Sequence, residues 1–92
     1  MTEFRIFETK QFQSDLESNL GPRRPGLVAK LLKEVYPQLR RQPYYGRNIR
    51  KLRGYKPETW RHRIGDFRFF YEIDGARRIV FMIAADTRQK SY

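Results

Sequence analysis

Arginines in the second half of the sequence are the side chains best suited to chemistry. Arg61 and Arg63 are separated by one residue, and Arg68 follows a short glycine-containing segment. A guanidinium group keeps its charge near neutrality and presents a planar fork that matches phosphate oxygens. Three such groups held close together repel one another unless an anion lies among them. The spacing therefore predicts an anion site that stabilises charge developing on a phosphate, with a salt-bridged surface ladder as the alternative.

The charge balance of the whole chain indicates what that anion would be. The 92 residues carry a net charge of +10, and residues 40–68 hold ten basic but only two acidic residues. This concentration favours a nucleic acid partner. An acidic protein partner and a solvated basic surface are the alternatives. Around the cluster, the basic residues expected to contact nucleic acid are Arg47, Arg50, Lys51, Arg53, Lys56 and Lys90.

Other classes of protein are disfavoured by the composition. The chain has no cysteine and one histidine, which argues against disulfides, a thiolate nucleophile and a metal site, so no cofactor is expected. No apolar run approaches the roughly 18 residues of a membrane helix, and the N-terminus lacks a signal-peptide pattern. We therefore expect a cytoplasmic protein that forms one domain over residues 1–92.

The strand that carries the first two arginines is recognisable from its alternation. In residues 59–64, Trp60, His62 and Ile64 occupy the positions between the arginines. Because alternate side chains of a strand point to opposite faces, these three should face the core while the arginines face outward. We therefore predict a core position for Trp60 and a structural, partly buried role for His62 rather than a catalytic one.

Two further strands complete the predicted sheet. Gly65-Asp66 is typical of a hairpin turn, and residues 67–73 alternate so that Arg68 lies on the outward face. Residues 79–85 are apolar on both faces, which indicates a central strand. A short additional strand near residues 49–53 is left open.

The first half of the sequence predicts a strand followed by two helices. Residues 3–7 alternate as a short strand, and Thr9 is a suitable N-cap for the helix after it. Phe12, Leu16 and Leu20 recur at four-residue intervals along one face of that helix.

The second helix should pack antiparallel to the first as a hairpin. Its apolar face runs from Leu27 to Leu39, and Pro37 should kink or restart it. The predicted fold is α+β: a small antiparallel sheet with an N-terminal strand and a two-helix hairpin packed on one face, in the order β-α-α-β-β-β, with one extra short strand left open. The other face of the sheet is then available for function.

Three segments of the sequence resemble the RelE group of the RelE/ParE toxin superfamily. They are NIRKLRGYKP at 48–57, WRHRIGDFRFFYEID at 60–74 and RQKSY at 88–92. The resemblance implies a toxin of a type II toxin–antitoxin pair that enters the ribosomal A site and cleaves mRNA by attack of the 2′-hydroxyl, without a metal. It also implies two partners: the ribosome with its mRNA, and a co-encoded acidic antitoxin in a heteromeric complex.

The same resemblance implies a role for each catalytic candidate. The family's basic pair falls on Arg61 and Arg63, its transition-state arginine on Arg68, its C-terminal arginine on Arg88 and its terminal tyrosine on Tyr92. The arginines would stabilise charge on the scissile phosphate, and Tyr92 would stack on a base or steer a proton. The general base is left unassigned, because arginine keeps its proton near neutrality.

Two other functions stay open at this stage. The superfamily also contains ParE-like toxins that poison DNA gyrase without cutting RNA, and a shared fold does not settle function. A nucleic-acid-binding or protein-binding member without catalysis is the second alternative.

Overall fold

A five-stranded sheet organises the fold in the computed structural model, which describes residues 3–18, 21 and 24–87. The strand order is β1-β5-β4-β3-β2, and every neighbouring pair is antiparallel except β1 and β5. The strands are β1 (Arg5–Glu8), β2 (Ile49–Lys51), β3 (Trp60–Ile64), β4 (Phe67–Asp74) and β5 (Ile79–Thr87). The predicted α+β class is confirmed, and β2 is the short strand that the sequence left open. The sheet is mixed rather than wholly antiparallel, because β1 pairs with β5 through a long-range contact that local patterning does not encode.

The helices lie between β1 and β2 in the chain. They are α1 (Lys10–Ser18), α2 (Arg24–Lys30) and α3 (Tyr36–Arg41). Thr9 caps α1 as predicted, since its hydroxyl oxygen accepts the N–H of Phe12 at 3.2 Å. The same hydroxyl donates to the carbonyl of Met82 in β5 at 2.8 Å, which ties the start of α1 to the sheet.

A turn of π-helix, Leu31–Val35, joins α2 to α3. The N–H of Tyr36 bonds to the carbonyl of Leu31, five residues earlier. Pro37 follows directly; it donates no hydrogen bond, and its ring crowds the preceding turn of a regular α-helix. The wider turn accommodates the proline, so the predicted disturbance is a local change of helix type and not an end to the helical segment.

The core fills the space between the helices and one face of the sheet. Phe12 and Leu16 of α1 are buried as predicted, whereas Leu20 lies outside the described residues. Trp60 faces this side and packs edge-on against Tyr44, with ring centroids 5.5 Å apart, but it is only half-buried. The buried apolar residues are Phe4, Phe12, Leu16, Leu27, Leu31, Val35, Tyr36, Leu39, Phe67, Phe69, Tyr71, Val80, Met82 and Ala85.

His62 belongs to this core and is more deeply buried than the sequence suggested. Its side chain is 1% exposed, and its cross-strand partner is the fully buried Phe69. Nε2 of His62 lies 2.9 Å from Oε1 of Gln38, so Nε2 carries the proton that bonds to the amide oxygen. The imidazole is therefore a structural link between β3 and α3, as its position in the strand predicted.

This link leads to a prediction for Gly46→Ala. A Cβ atom at Gly46 would lie 2.1 Å from Nε2 of Gln38, so the amide must move, and this movement weakens its bond to buried His62. We expect a loss of about 1–3 kcal/mol in the free energy of unfolding, measured by thermal or urea denaturation.

Gly26→Ala is the matched control. A Cβ atom at Gly26, in α2, meets nothing within 4 Å. Its alanine variant should be neutral or stabilised by up to about 1 kcal/mol, since alanine has the higher helix propensity. Equal stabilities for the two variants would contradict the role of the Gln38–His62 bond.

Candidate anion-binding site

The pairing of β2, β3 and β4 brings four arginines together on the sheet face opposite the helices. Arg50 is the cross-strand partner of Arg61, and Arg63 is the partner of Arg68. Directly opposite residues on one face have Cβ atoms about 4.5–5.5 Å apart. We call these four residues, Arg50, Arg61, Arg63 and Arg68, the arginine cluster. The sequence predicted three of them as a unit, and the register of β2 adds Arg50.

Arg61 lies at the centre of the arginine cluster, and the other three cations all act on its charge. Burial lowers the pKa of its guanidinium group, and the positive charges of Arg50, Arg63 and Arg68 lower it further. Its Nε atom is buried and makes no hydrogen bond within the described part of the chain. A buried donor without an acceptor is costly, so an anion that reaches this atom would be stabilised.

The register of β4 and β5 places two carboxylates near the arginine cluster. Asp86 of β5 is the cross-strand partner of Arg68 and shares its face. Glu72 lies further along β4, with Phe81 as its partner in β5. A cluster of four cations beside Asp86 keeps a local excess of positive charge, which suits a phosphodiester chain.

The other basic candidates in the described residues lie in β2 or in the loops beside it, and they do not join the arginine cluster. Lys51 is the cross-strand partner of Trp60 and therefore lies on the side of the sheet that faces the helices. Its ammonium group lies 2.9 Å from a carboxylate oxygen of Glu58 and 5.9 Å from the centroid of the Trp60 ring. The exposed loop residues on either side of β2 are Arg47, Arg53 and Lys56.

The C-terminal candidates follow β5 in the sequence. Arg88, Lys90 and Tyr92 lie outside the described residues. The last described residue, Thr87, pairs with Phe67, one position beyond the Arg68–Asp86 pair.

Sequence reasoning missed one residue that shapes this end of the sheet. Oδ2 of Asp15 in α1 accepts the backbone N–H of Ala85 at 3.0 Å, and its other oxygen accepts a bond from Gln11 at 2.8 Å. This contact holds β5 next to the position of Asp86. No local pattern identifies it, because Asp15 and Ala85 are seventy residues apart in the sequence.

A membrane-spanning helix and a metal site are two further features that bear on function. Among residues 3–18, 21 and 24–87, no helix is long and apolar enough to span a bilayer. In that same part of the chain, no three histidine or acidic side chains are grouped so as to hold a metal ion.

Comparison with known proteins assigns the chain to a family. The model of the family described as "ParE toxin of type II toxin-antitoxin system, parDE" matches residues 7–92. Among curated proteins, no sequence is similar enough to match.

Solved structures of toxins have the same fold. The chain is 27% identical to a protein in the toxin–antitoxin complex RelBE2 from Mycobacterium tuberculosis, with a TM-score of 0.72 over 96% of this chain and 94% of that one. It is 20% identical to a mutant of the E. coli toxin RelE in the free state, with a TM-score of 0.63 over 99% of this chain and 88% of that one. A RelE–RelB complex from Pyrococcus horikoshii is matched at 21% identity and a TM-score of 0.57, over 99% of this chain and all of that one.

The family match and the fold identify the chain as a toxin of the RelE/ParE superfamily. The chain belongs to the ParE toxin family of type II toxin–antitoxin systems. The superfamily suggested by the sequence is confirmed, while membership of the RelE group within it stays a prediction.

The burial of His62 predicts how stability depends on pH. Burial lowers the pKa of His62 to about 4, whereas an unfolded histidine titrates near 6.5. Between these values the unfolded chain takes up a proton that the folded protein does not, so stability falls as the pH decreases. From pH 7 to 5 we expect a loss of about 2 kcal/mol in the free energy of unfolding, above the range where most carboxylates titrate.

The histidine-free variant His62→Gln is the control for this prediction. His62 is the one histidine in the sequence, so the variant should have a much flatter profile across the same pH range. If the free energy of unfolding changed with pH in the same way in both proteins, the lowered pKa of His62 would be contradicted.

The facing arginines predict a stabilising substitution. Arg63 lies directly opposite Arg68, and like charges in this position destabilise a sheet. Arg63→Gln should raise the free energy of unfolding by about 0.2–1 kcal/mol at low salt. The gain should shrink between about 0.01 M and about 1 M salt, because screening weakens repulsion between exposed charges.

Arg47→Gln removes the same charge from the exposed loop before β2 and should leave the melting temperature nearly unchanged. A lower melting temperature for Arg63→Gln than for Arg47→Gln at low salt would contradict the repulsion.

Proposed function

We propose that this toxin is a ribosome-dependent endoribonuclease that cleaves mRNA in the ribosomal A site. The observation that carries the proposal is the arginine cluster. Two cross-strand pairs of arginines lie on the open face, and one Nε atom within the cluster has no acceptor in the described part of the chain. Such a site is suited to a phosphodiester whose negative charge increases during reaction.

RNA supplies its own nucleophile for the proposed reaction. The 2′-hydroxyl loses its proton and attacks the adjacent phosphorus, the bond to the 5′-oxygen breaks, and that oxygen gains a proton. The products are a 2′,3′-cyclic phosphate and a 5′-hydroxyl. The protein has to hold the attacking oxygen in line and stabilise the charge on phosphorus.

We assign these tasks to the predicted arginines. Arg61 and Arg63, adjacent on the open face of β3, hold the phosphate, and Arg68 on β4 stabilises the extra charge. Arg88 and Tyr92 follow β5 in the sequence, and their roles in this proposal rest on the resemblance to RelE toxins. Tyr92 would stack on a base or steer a proton.

The proposal includes an inhibitory partner. The relative from Mycobacterium tuberculosis was solved as a toxin–antitoxin complex. For a chain with a net charge of +10, we propose a co-encoded antitoxin with an acidic segment that covers the arginine cluster, so that antitoxin and RNA compete. Charge would steer this association, and its rate would fall as salt is added.

The proposed function is tested by expressing the toxin in cells and mapping the 5′ ends of mRNA against the reading frame. The intact toxin should produce new ends inside translated codons, in frame. Arg61→Ala and Arg68→Ala should each lower cleavage by about 10²–10³-fold, because each removes a donor that stabilises the transition state.

Arg41→Ala is the matched control. Arg41 is exposed at the end of α3, so the variant loses the same charge away from the open face. It should cleave mRNA like the intact toxin, and circular dichroism should confirm that all three variants are folded. Full cleavage by a folded double variant lacking Arg61 and Arg68 would contradict the proposed catalytic site.

Poisoning of DNA gyrase is the second candidate, because the matching family is described as ParE toxins. The same cells distinguish the two functions. Intact mRNA together with gyrase-linked DNA breaks would favour this candidate, whereas in-frame mRNA ends without DNA breaks would favour the endoribonuclease.

A further inference from the structure

Three phenylalanines, which we call the aromatic strip, lie on the open face beside the arginine cluster, with Glu72 of β4 opposite Phe81 between them. Phe70 of β4, Phe81 of β5 and Phe7 of β1 all occupy positions that point away from the helices. The rings of Phe7 and Phe81 meet edge to face with centroids 5.7 Å apart, and Phe7 is 54% exposed. Phe70 and Phe81 are half-buried, so each keeps part of its ring accessible on this face.

The strip meets the arginine cluster at Phe70. Arg61 is its cross-strand partner on β3, and the guanidinium carbon of Arg68 lies 6.0 Å from the centroid of its ring. On the other side its partner is Ala84, whose methyl group is the smallest side chain on this part of β5. Phe70 is therefore surrounded by Arg61 across the β3–β4 pair, by Arg68 over its ring and by the small side chain of Ala84 on β5.

We propose that Phe70 is a base-stacking platform for single-stranded RNA, with the strip towards Phe81 and Phe7 accepting bases further along the strand. Aromatic side chains on a sheet face, next to cations that track the phosphates, are a general solution for binding unpaired nucleotides. The proposal deepens the endoribonuclease function, since a stacked base would fix the position of the adjacent phosphate relative to Arg61.

The alternative occupant of the strip is the apolar side of a protein partner. The arrangement favours a nucleic acid because Phe70 lies among arginines. A purely apolar surface would cover Arg61 and Arg68 without supplying counter-charge, which is costly. A nucleotide strand supplies a phosphate and a flat base in every repeat unit. The phosphates match the arginine cluster, and the bases match the aromatic strip.

The test compares two strands that differ only in their bases. The full-length toxin is titrated into a fluorescent heptanucleotide with 2′-O-methyl riboses, which cannot be cleaved by 2′-attack, and into the abasic strand of the same length. Phe70→Leu should weaken binding of the base-bearing strand about tenfold, since stacking contributes to affinity at each base. The same substitution should leave the affinity for the abasic strand unchanged, and the slope of affinity against salt should also stay the same.

Three further variants make the comparison specific. Phe70→Tyr keeps a ring and should retain the affinity of the intact toxin. Arg61→Ala should weaken both strands and lower the slope of affinity against salt by about one unit. Tyr45→Leu removes a 75% exposed aromatic side chain from the loop before β2 and should have no effect on either strand.

The inference is overturned by any of three results. These are equal loss for both strands in Phe70→Leu, no base-dependent binding by the intact toxin, and unchanged binding of the base-bearing strand by Phe70→Leu. Base-dependent binding without mRNA cleavage in cells would defeat the proposed function and leave the stacking site standing. In-frame cleavage with a Phe70→Leu variant that binds normally would defeat the stacking site alone.

Discussion

The register between β3 and β4 is the constraint on which both the core and the candidate site depend. It places His62 opposite Phe69 on the inner face and Arg63 opposite Arg68 on the outer face. A shift of one residue would exchange the two faces of a strand, burying arginines and exposing aromatic rings. The two-residue turn after β3 fixes this register, with Gly65 in the left-handed conformation (φ +56°) that such hairpins require.

The same register concentrates positive charge where it cannot help the fold. On the inner face, burial of apolar side chains stabilises the sheet against the helices. On the outer face, Arg50, Arg61, Arg63 and Arg68 oppose one another, and Arg61 gives up hydration as well. A ligand that brings negative charge to this face recovers the electrostatic energy that folding spends there, so the site is organised before its ligand arrives.

The fold alone does not choose between the functions of the superfamily. Members of one fold family host different activities, which are determined by the side chains on their free surfaces. In this chain the free face combines an arginine cluster with a row of phenylalanines, and both are directed outward by strands whose other faces are held in the core. The distinction between RNA cleavage and gyrase poisoning therefore lies in what this face binds.

Local features of the fold were predictable from the sequence because their causes are local. Alternation assigned Arg61, Arg63 and Arg68 to the face opposite His62, and a hydroxyl at Thr9 marked the start of α1. The order of helices and strands followed from the change of hydrophobic period, since alternation over about 4–8 residues or a helical repeat over about 11–18 residues defines it. Those features determined the α+β class and the face on which the candidate site lies.

Only the tertiary structure decided how these elements meet. The parallel pairing of β1 with β5, the bond from His62 to Gln38 and the contact of Asp15 with Ala85 join residues that are 24 or more positions apart. Lys51 was grouped with the arginines by its charge, but its pairing with Trp60 places it on the opposite side of the sheet. In a short strand such as β2, the pairing with the neighbouring strand decides which side chains face the helices and which face outward. Alternation within a strand defines two faces, and only packing against the rest of the chain determines which one faces the core.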